Sequence, residues 1–180
     1  KSTGLKTILL TDAFSRLNPD VVLVLGDRFE THAAATTAML MNIPIAHIHG
    51  GEITEGAVDE KIRHSITKMS SLHFTSTDQY RDRVIQMGEP AEKVLSVGAP
   101  GIDNIINMNL LSKDDLEDQL KWKFNGTTAL FTFHSETLSK IDVRQEIKKI
   151  LKVIDGFNIN MLFTYANADH GGKVINNEIE

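Results

Sequence analysis

The sequence predicts an α/β fold built on parallel sheets, and three observations carry that reading. Val21-Val22-Leu23-Val24-Leu25 is apolar without alternation, the pattern of a central parallel strand covered on both faces. Short strand signals then alternate with helical stretches as far as Val97, at the spacing of βαβ units. The strand signal disappears from Ile102 to Asn125 and the same rhythm restarts at Thr128. That break predicts three parts: 1–108 as part of a first domain, 109–126 as a crossover, and 127–180 as the opening of a second domain.

The elements follow in order. Leu5, Ile8, Leu9, Ala13 and Leu17 trace a helical stripe ahead of the first strand, and either core packing or subunit association accounts for it. The chain is therefore expected to begin mid-fold, as a fragment does. Thr31 to Met41 is rich in alanine and methionine and reads as a helix, stopped before Pro44, which disfavours helical geometry at Ile43. Ile45 to Ile48 is a short strand. Asp59 to Met69 returns to helix with Ile62, Ile66 and Met69 on a buried face. Leu72 to Thr75 is the next strand, Thr77 caps a helix running to Met87, Gly88 closes it, and Val94 to Val97 is a fourth strand. Ser112 with Asp115 resembles a capping box opening a polar helix that ends near Trp122. Thr128 to Phe133 is a strand, and Asp142 begins a helix with Val143, Ile147, Ile150, Leu151 and Ile154 on one stripe. Met161 to Tyr165 is a further strand, and a glycine-ended loop, 167–172, precedes a last helix.

Composition narrows the function classes. A net charge of −5 without clustered Lys or Arg argues against a nucleic-acid partner. The absence of cysteine excludes disulfides, thiolate metal sites and cysteine nucleophiles. No apolar run approaches a membrane span and no secretory signal is present, so no membrane partner is expected and the cytoplasm is the default compartment.

Chemistry is expected at the strand ends. Gly26-Asp27-Arg28 closes the first strand, and in open α/β sheets ligands bind at the carboxyl edge; a cap for the next helix is the alternative role for Asp27. Three more polar clusters follow strands: His49 to Glu52, His134 to Glu136, and 167–172. Four such loops at one sheet edge can converge on a shared cleft. Asp59 and Arg63, like Glu60 and His64, lie four apart on a helix, as surface ion pairs or as groups facing the loop 50–56. Carboxylates suit proton abstraction when burial or like charge raises their pKa. The spacing of His47 and His49 permits two metal ligands, with His64 or His73 joining them, but no carboxylate-rich third ligand is obviously placed, and a core His47 with a site-facing His49 is the simpler account.

Taken in order, Gly26-Asp27-Arg28, His47-Ile48-His49-Gly50-Gly51-Glu52, Asp59-Glu60 with Ile62-Arg63-His64, Ile66-Thr67-Lys68 and Phe133-His134 resemble the hydrolysing UDP-N-acetylglucosamine 2-epimerases of sialic-acid-type pathways. The resemblance runs from about Pro19 to the carboxyl end. It implies two Rossmann-like domains in the GT-B arrangement, incomplete in this chain, with a UDP-sugar as small-molecule partner, no metal and no cofactor. It also implies a reaction: loss of UDP and of the C2 proton gives a 2-acetamidoglucal, and water then yields an N-acetylmannosamine-type sugar.

Carried over position by position, the resemblance implies catalytic roles for Asp27, His49, Asp59, Glu60 and His134. Asp27, His49 and Asp59 serve the C2 proton transfer, Glu60 is the second acid beside Asp59, and His134 stabilises departing UDP. Substrate contacts are implied for Arg28, Glu52, Arg63, His64, Asn167 and Asp169. Many relatives carry glutamate where this chain has His49, a departure that points toward a related sugar such as a 2,4-diacetamido derivative. The family's first strand and glycine loop are expected before Lys1, and its uridine-diphosphate grip after Glu180, so the 180 residues alone are expected to be weakly active or inactive. A homo-oligomer is expected for the full-length form. A GT-B glycosyltransferase and a non-catalytic UDP-sugar-binding fragment are the alternatives.

Overall fold

Residues 2–136, 138, 141–167 and 171–180 are described by the computed structural model. The chain forms two units, Lys1–Met108 and Asn109–Glu180. In the first, helix α1 (Ser2–Leu17) precedes β1 (Val22–Leu25), α2 (Phe29–Leu40), β2 (Ile45–Ile48), α3 (Asp59–Met69), β3 (Leu72–Thr75), α4 (Asp78–Gln86), β4 (Val94–Ser96) and α5 (Pro100–Asn107). All strand pairs are parallel and the order is β1-β2-β3-β4. Right-handed crossovers in sequential order put every connecting helix on the same face. The core lies there, where Val24 and Ile45 meet Ala35 and Ala38 of α2 and Ile66 of α3; each fully buried branched side chain contributes about 1.5–3 kcal/mol.

Within these 180 residues β1 stands at one end of the strand order, with Leu23 and Leu25 62% and 55% exposed. Helix α1 packs on α2. Leu5, Ile8, Leu9 and Leu17 are exposed, while Leu10 and Phe14 turn inward with Ala13 partly buried. Polar residues occupy the rest of the inward side: Lys6 pairs with Glu30 at 3.3 Å and lies over the Phe29 ring, and Thr7 donates to the Thr3 carbonyl.

The second unit contains α6 (Lys113–Leu120), β5 (Thr128–Phe131), α7 (Val143–Ile154), β6 (Asn160–Phe163) and α8 (Gly172–Ile179), with β5 and β6 paired in parallel. Its core joins Ile147, Ala166 and Ile175 to Phe131, Phe133, Val143 and Leu151. Three caps start helices, Thr77 and Ser112 as the sequence predicts and Asp142 one residue ahead of the helix it was expected to begin. Thr77 accepts from the Tyr80 amide, Ser112 from the Asp115 amide, and Asp142 from the amides of Arg144 and Gln145, satisfying donors that the first helical turn leaves open. Helix α5 falls in the stretch the sequence left unassigned, started by Pro100 at its first turn. Among the described residues, no helix is long and apolar enough to cross a membrane.

Candidate active site

The strand ends of the first unit are held together by one arginine. Arg63 projects from the first turns of α3 and is 6% exposed. Its Nη2 binds the Asp27 carboxylate just beyond β1, and its Nη1 donates to the His49 carbonyl at 2.7 Å and to Glu52 Oε2 at 3.3 Å, beyond β2. The planar fork suits this, because donors in fixed directions reach acceptors on separate loops. The expected pairing of Arg63 with Asp59 is thus replaced by a long-range one, across 36 residues of sequence.

Glu52 is the second hub. Its Oε1 accepts from the Ser76 hydroxyl at 2.8 Å and lies 2.5 Å from His49 Nδ1. Burial pushes the Glu52 carboxyl up, but Ser76, His49 and Arg63 together outweigh it and hold the group below its ordinary value. Asp27 goes the other way: burial raises its carboxyl, against the pull of Arg63 and with further push from Asp59 and Glu52. A raised carboxylate beside like charges is the property sought in a proton acceptor.

The loop carrying His49 is fixed by close approaches. His49 itself has φ 66°, a left-handed conformation that costs a non-glycine residue about 1–2 kcal/mol. A Cβ on Gly50 would press on His47 and Thr67, and one on Gly51, at φ 80°, would run into the Tyr80 carbonyl and Val84 of α4. Arg83 of α4 also donates to the Gly51 carbonyl. Beneath the loop, His47 is fully buried with Nε2 on the Gly26 carbonyl at 2.9 Å and Nδ1 3.2 Å from the Thr67 hydroxyl. Burial pulls the His47 imidazole down to about 4, so it is a neutral core group that ties β2 to the turn before Asp27.

Glu60 accepts from the Thr54 amide at 2.6 Å and from His64 Nε2 at 3.1 Å, the i,i+4 contact expected from spacing. Burial lifts the Glu60 carboxyl, yet the Thr54 amide and His64 bring it below its ordinary value. Asp59 opens α3 beside these groups and is near enough to act on Asp27. Arg28 turns toward Glu30, with Nε at 3.6 Å, and its guanidinium lies 5.6 Å from the Phe29 ring centre.

In the second unit His134 is exposed in the loop after β5, beside a hollow of about 140 Å³ that it lines with Phe133, Ser135, Glu136, Ile141 and Glu146. The loop leading into α8 comes against it, since a Cβ on Gly171 would meet Ser135 Oγ and Val143. Asn167 lies in that second loop, where its carbonyl sits against Gly172, and Asp169 lies outside the described residues. The four polar clusters therefore divide between two sheets, two on each, rather than lining the edge of one.

Sequence reasoning missed Ser76. It is the first residue after β3, the same strand-end position that drew attention to the residues after β1 and β2, and that signal was there to be used.

A family model described as UDP-N-acetylglucosamine 2-epimerase matches residues 1–180. The GDP/UDP-N,N'-diacetylbacillosamine 2-epimerase (hydrolyzing) of Campylobacter jejuni is 45% identical over 98% of the chain and 46% of its own length. The UDP-N,N'-diacetylbacillosamine 2-epimerase (hydrolyzing) of Legionella pneumophila is 34% identical over 100% of the chain and 48% of its own. Among solved structures, the Neisseria meningitidis UDP-GlcNAc 2-epimerase bound to UDP-GlcNAc superposes with a TM-score of 0.80 at 22% identity, over 97% of this chain and 50% of that one. The chain spans about half the length of the relatives it matches. With the parallel α/β architecture and the match along all 180 residues, the chain belongs to the UDP-N-acetylglucosamine 2-epimerase family.

Proposed function

We propose that the protein containing this chain is a hydrolysing 2-epimerase of 2-acetamido UDP-sugars, acting in the cytoplasm without metal or cofactor. The observation that carries this reading is the cluster in which Arg63 draws Asp27, His49 and Glu52 together at the carboxyl ends of β1 and β2. Proton transfer at C2 needs a weakly acidic or imidazole acceptor near neutral pH, and the cluster offers Asp27, raised by burial, and His49. Asp59 and Glu60 supply further carboxylates from the start of α3, and His134 stabilises charge on departing UDP. Arg28, His64, Asn167 and Asp169 are assigned to substrate contact.

The reaction runs from a UDP-linked 2-acetamido sugar to a 2-acetamidoglucal and UDP, then through water addition to the free 2-epimer. The similarity to two diacetylbacillosamine 2-epimerases, with histidine at position 49, favours a 2,4-diacetamido sugar over UDP-N-acetylglucosamine. The exposed Leu5, Ile8, Leu9 and Leu17 of α1 are the candidate contact of a homo-oligomer. The test incubates the full-length protein with UDP-N,N'-diacetylbacillosamine and, separately, UDP-N-acetylglucosamine in deuterated water. Free UDP and a 2-epimeric sugar labelled at C2 are expected, more rapidly from the first. Release of neither product from either sugar defeats the reading, and transfer to an acceptor without C2 label indicates a glycosyltransferase.

A further inference from the structure

We propose that Glu52, braced by Ser76 and Arg63, is the positioning residue that fixes His49 as its Nδ1–H tautomer and thereby leaves Nε2 as the proton acceptor at C2. This rests on the epimerase reading above and goes on to assign the acceptor within it.

The argument is one of hydrogen-bond inventory. The Glu52 carboxylate receives three donors: Ser76 Oγ–H and His49 Nδ1 on Oε1, and Arg63 Nη1 on Oε2. An ionised carboxylate only accepts, so the 2.5 Å contact to His49 requires the hydrogen to sit on Nδ1. The neutral ring then carries its lone pair on Nε2. The backbone fixes where the ring sits. Arg63 holds the His49 carbonyl, and the left-handed φ of 66° turns the residue out of the β2 alternation, which would otherwise leave it on the buried face that His47 occupies.

The arrangement shares its logic with a carboxylate that orients a catalytic imidazole and stabilises the imidazolium that forms. In the step itself, the C2–H bond breaks and its proton passes to His49 Nε2. The bonding pair becomes the C1–C2 π bond, and the C1–O bond breaks with its electrons leaving on the diphosphate of UDP. Water then adds across the double bond, hydroxyl to C1 and proton to C2 from the opposite face.

The charged groups nearest the His49 loop are Asp27 after β1, Glu52 in the loop itself, Arg63 of α3 and Arg83 of α4, which holds the Gly51 carbonyl, with the neutral His47 of β2 beneath. Removing the Glu52 charge takes away the anion in contact with Nδ1 while Arg63 keeps its pairing with Asp27, and loss of that adjacent anion disfavours the imidazolium.

The test uses full-length protein, wild type and the variants Glu52→Gln and Ser76→Ala, with UDP-N,N'-diacetylbacillosamine and UDP-N-acetylglucosamine as probes. It reads kcat and KM against pH together with deuterium entry at C2. For Glu52→Gln, kcat is expected to fall at least about tenfold with KM changed less than about threefold, and the acid limb of the profile to move to lower pH. Ser76→Ala moves both in the same direction by less, and Glu52→Asp restores part of the loss. An active wild type with Glu52→Gln and Ser76→Ala profiles superimposed on its own overturns the assignment and leaves the epimerase reading standing. If Glu52→Gln does not fold, Ser76→Ala decides on the same two readouts. A wild type that releases no UDP and exchanges no C2 proton overturns both.

Discussion

Arg63 and Asp27 are bound to each other across 36 residues of sequence, joining the first turns of α3 to the turn after β1. The guanidinium is 7% exposed and the carboxylate 18%, so the pair is largely withdrawn from water. Removing one partner of such a pair leaves the other charge without compensation.

Arg63→Ala is therefore expected to destabilise the full-length protein by about 2–4 kcal/mol, read as a lower urea midpoint with unchanged slope. Arg63→Lys is expected to recover less than half, because one ammonium cannot reach Asp27, Glu52 and the His49 carbonyl together. A lysine variant as stable as wild type contradicts the hub role.

The two glycines flanking the site differ in kind. Gly51→Ala meets the Tyr80 carbonyl and a positive φ, whereas Gly26→Ala has a positive φ but open space around the new Cβ. The expected losses are about 3 kcal/mol for Gly51→Ala and about 1 kcal/mol for Gly26→Ala. Thermal melts that rank the two in reverse order contradict the proposed clamp on the His49 loop.

Acid should weaken the first unit through its buried imidazoles. Burial lowers His47 from 6.5 to about 4 in the fold, so between these values the unfolded chain binds more protons than the folded one and stability rises with pH. The contribution is complete above about pH 6.5 and is lost as pH falls toward 4, amounting to at most about 3 kcal/mol. Burial lowers His73 as well, against the attraction of Glu89, and acts with the same sign. Urea titrations at a series of pH values check this: His47→Gln should show a flatter dependence between pH 6.5 and 4 than wild type.

His134 is exposed, so His134→Ala should change stability by no more than about 0.5 kcal/mol. If it stabilises departing UDP, kcat falls about 10²-fold with the urea midpoint unmoved. Steady-state UDP release beside an unfolding curve separates this from a packing effect.

Much of the fold was legible because its signals are local. Strands β2 and β3 and helix α3 lie where their apolar runs and periodicity put them, and Thr77, Ser112 and Asp142 cap as their side chains allow. Helix α5 was missed, since a short segment opened by Pro100 carries little periodicity. The stripe on α1 stayed open between core and subunit contact because apolar pattern marks a face that tolerates burial, while neighbours decide whether it is buried. In the candidate site, spacing found Glu60 with His64 but not the true partners of Arg63, which lie on other loops.

By itself, the sequence determined the parallel α/β order, the apolar content of each element, and the placing of Asp27 and His49 just past strand ends. Those properties are set within a few residues of chain. Only the tertiary structure decided that Arg63 serves Asp27 and Glu52, that Ser76 joins them, and that His49 turns Nδ1 to Glu52. Such choices depend on directional hydrogen bonds between loops brought side by side by strand pairing, and no local pattern encodes them.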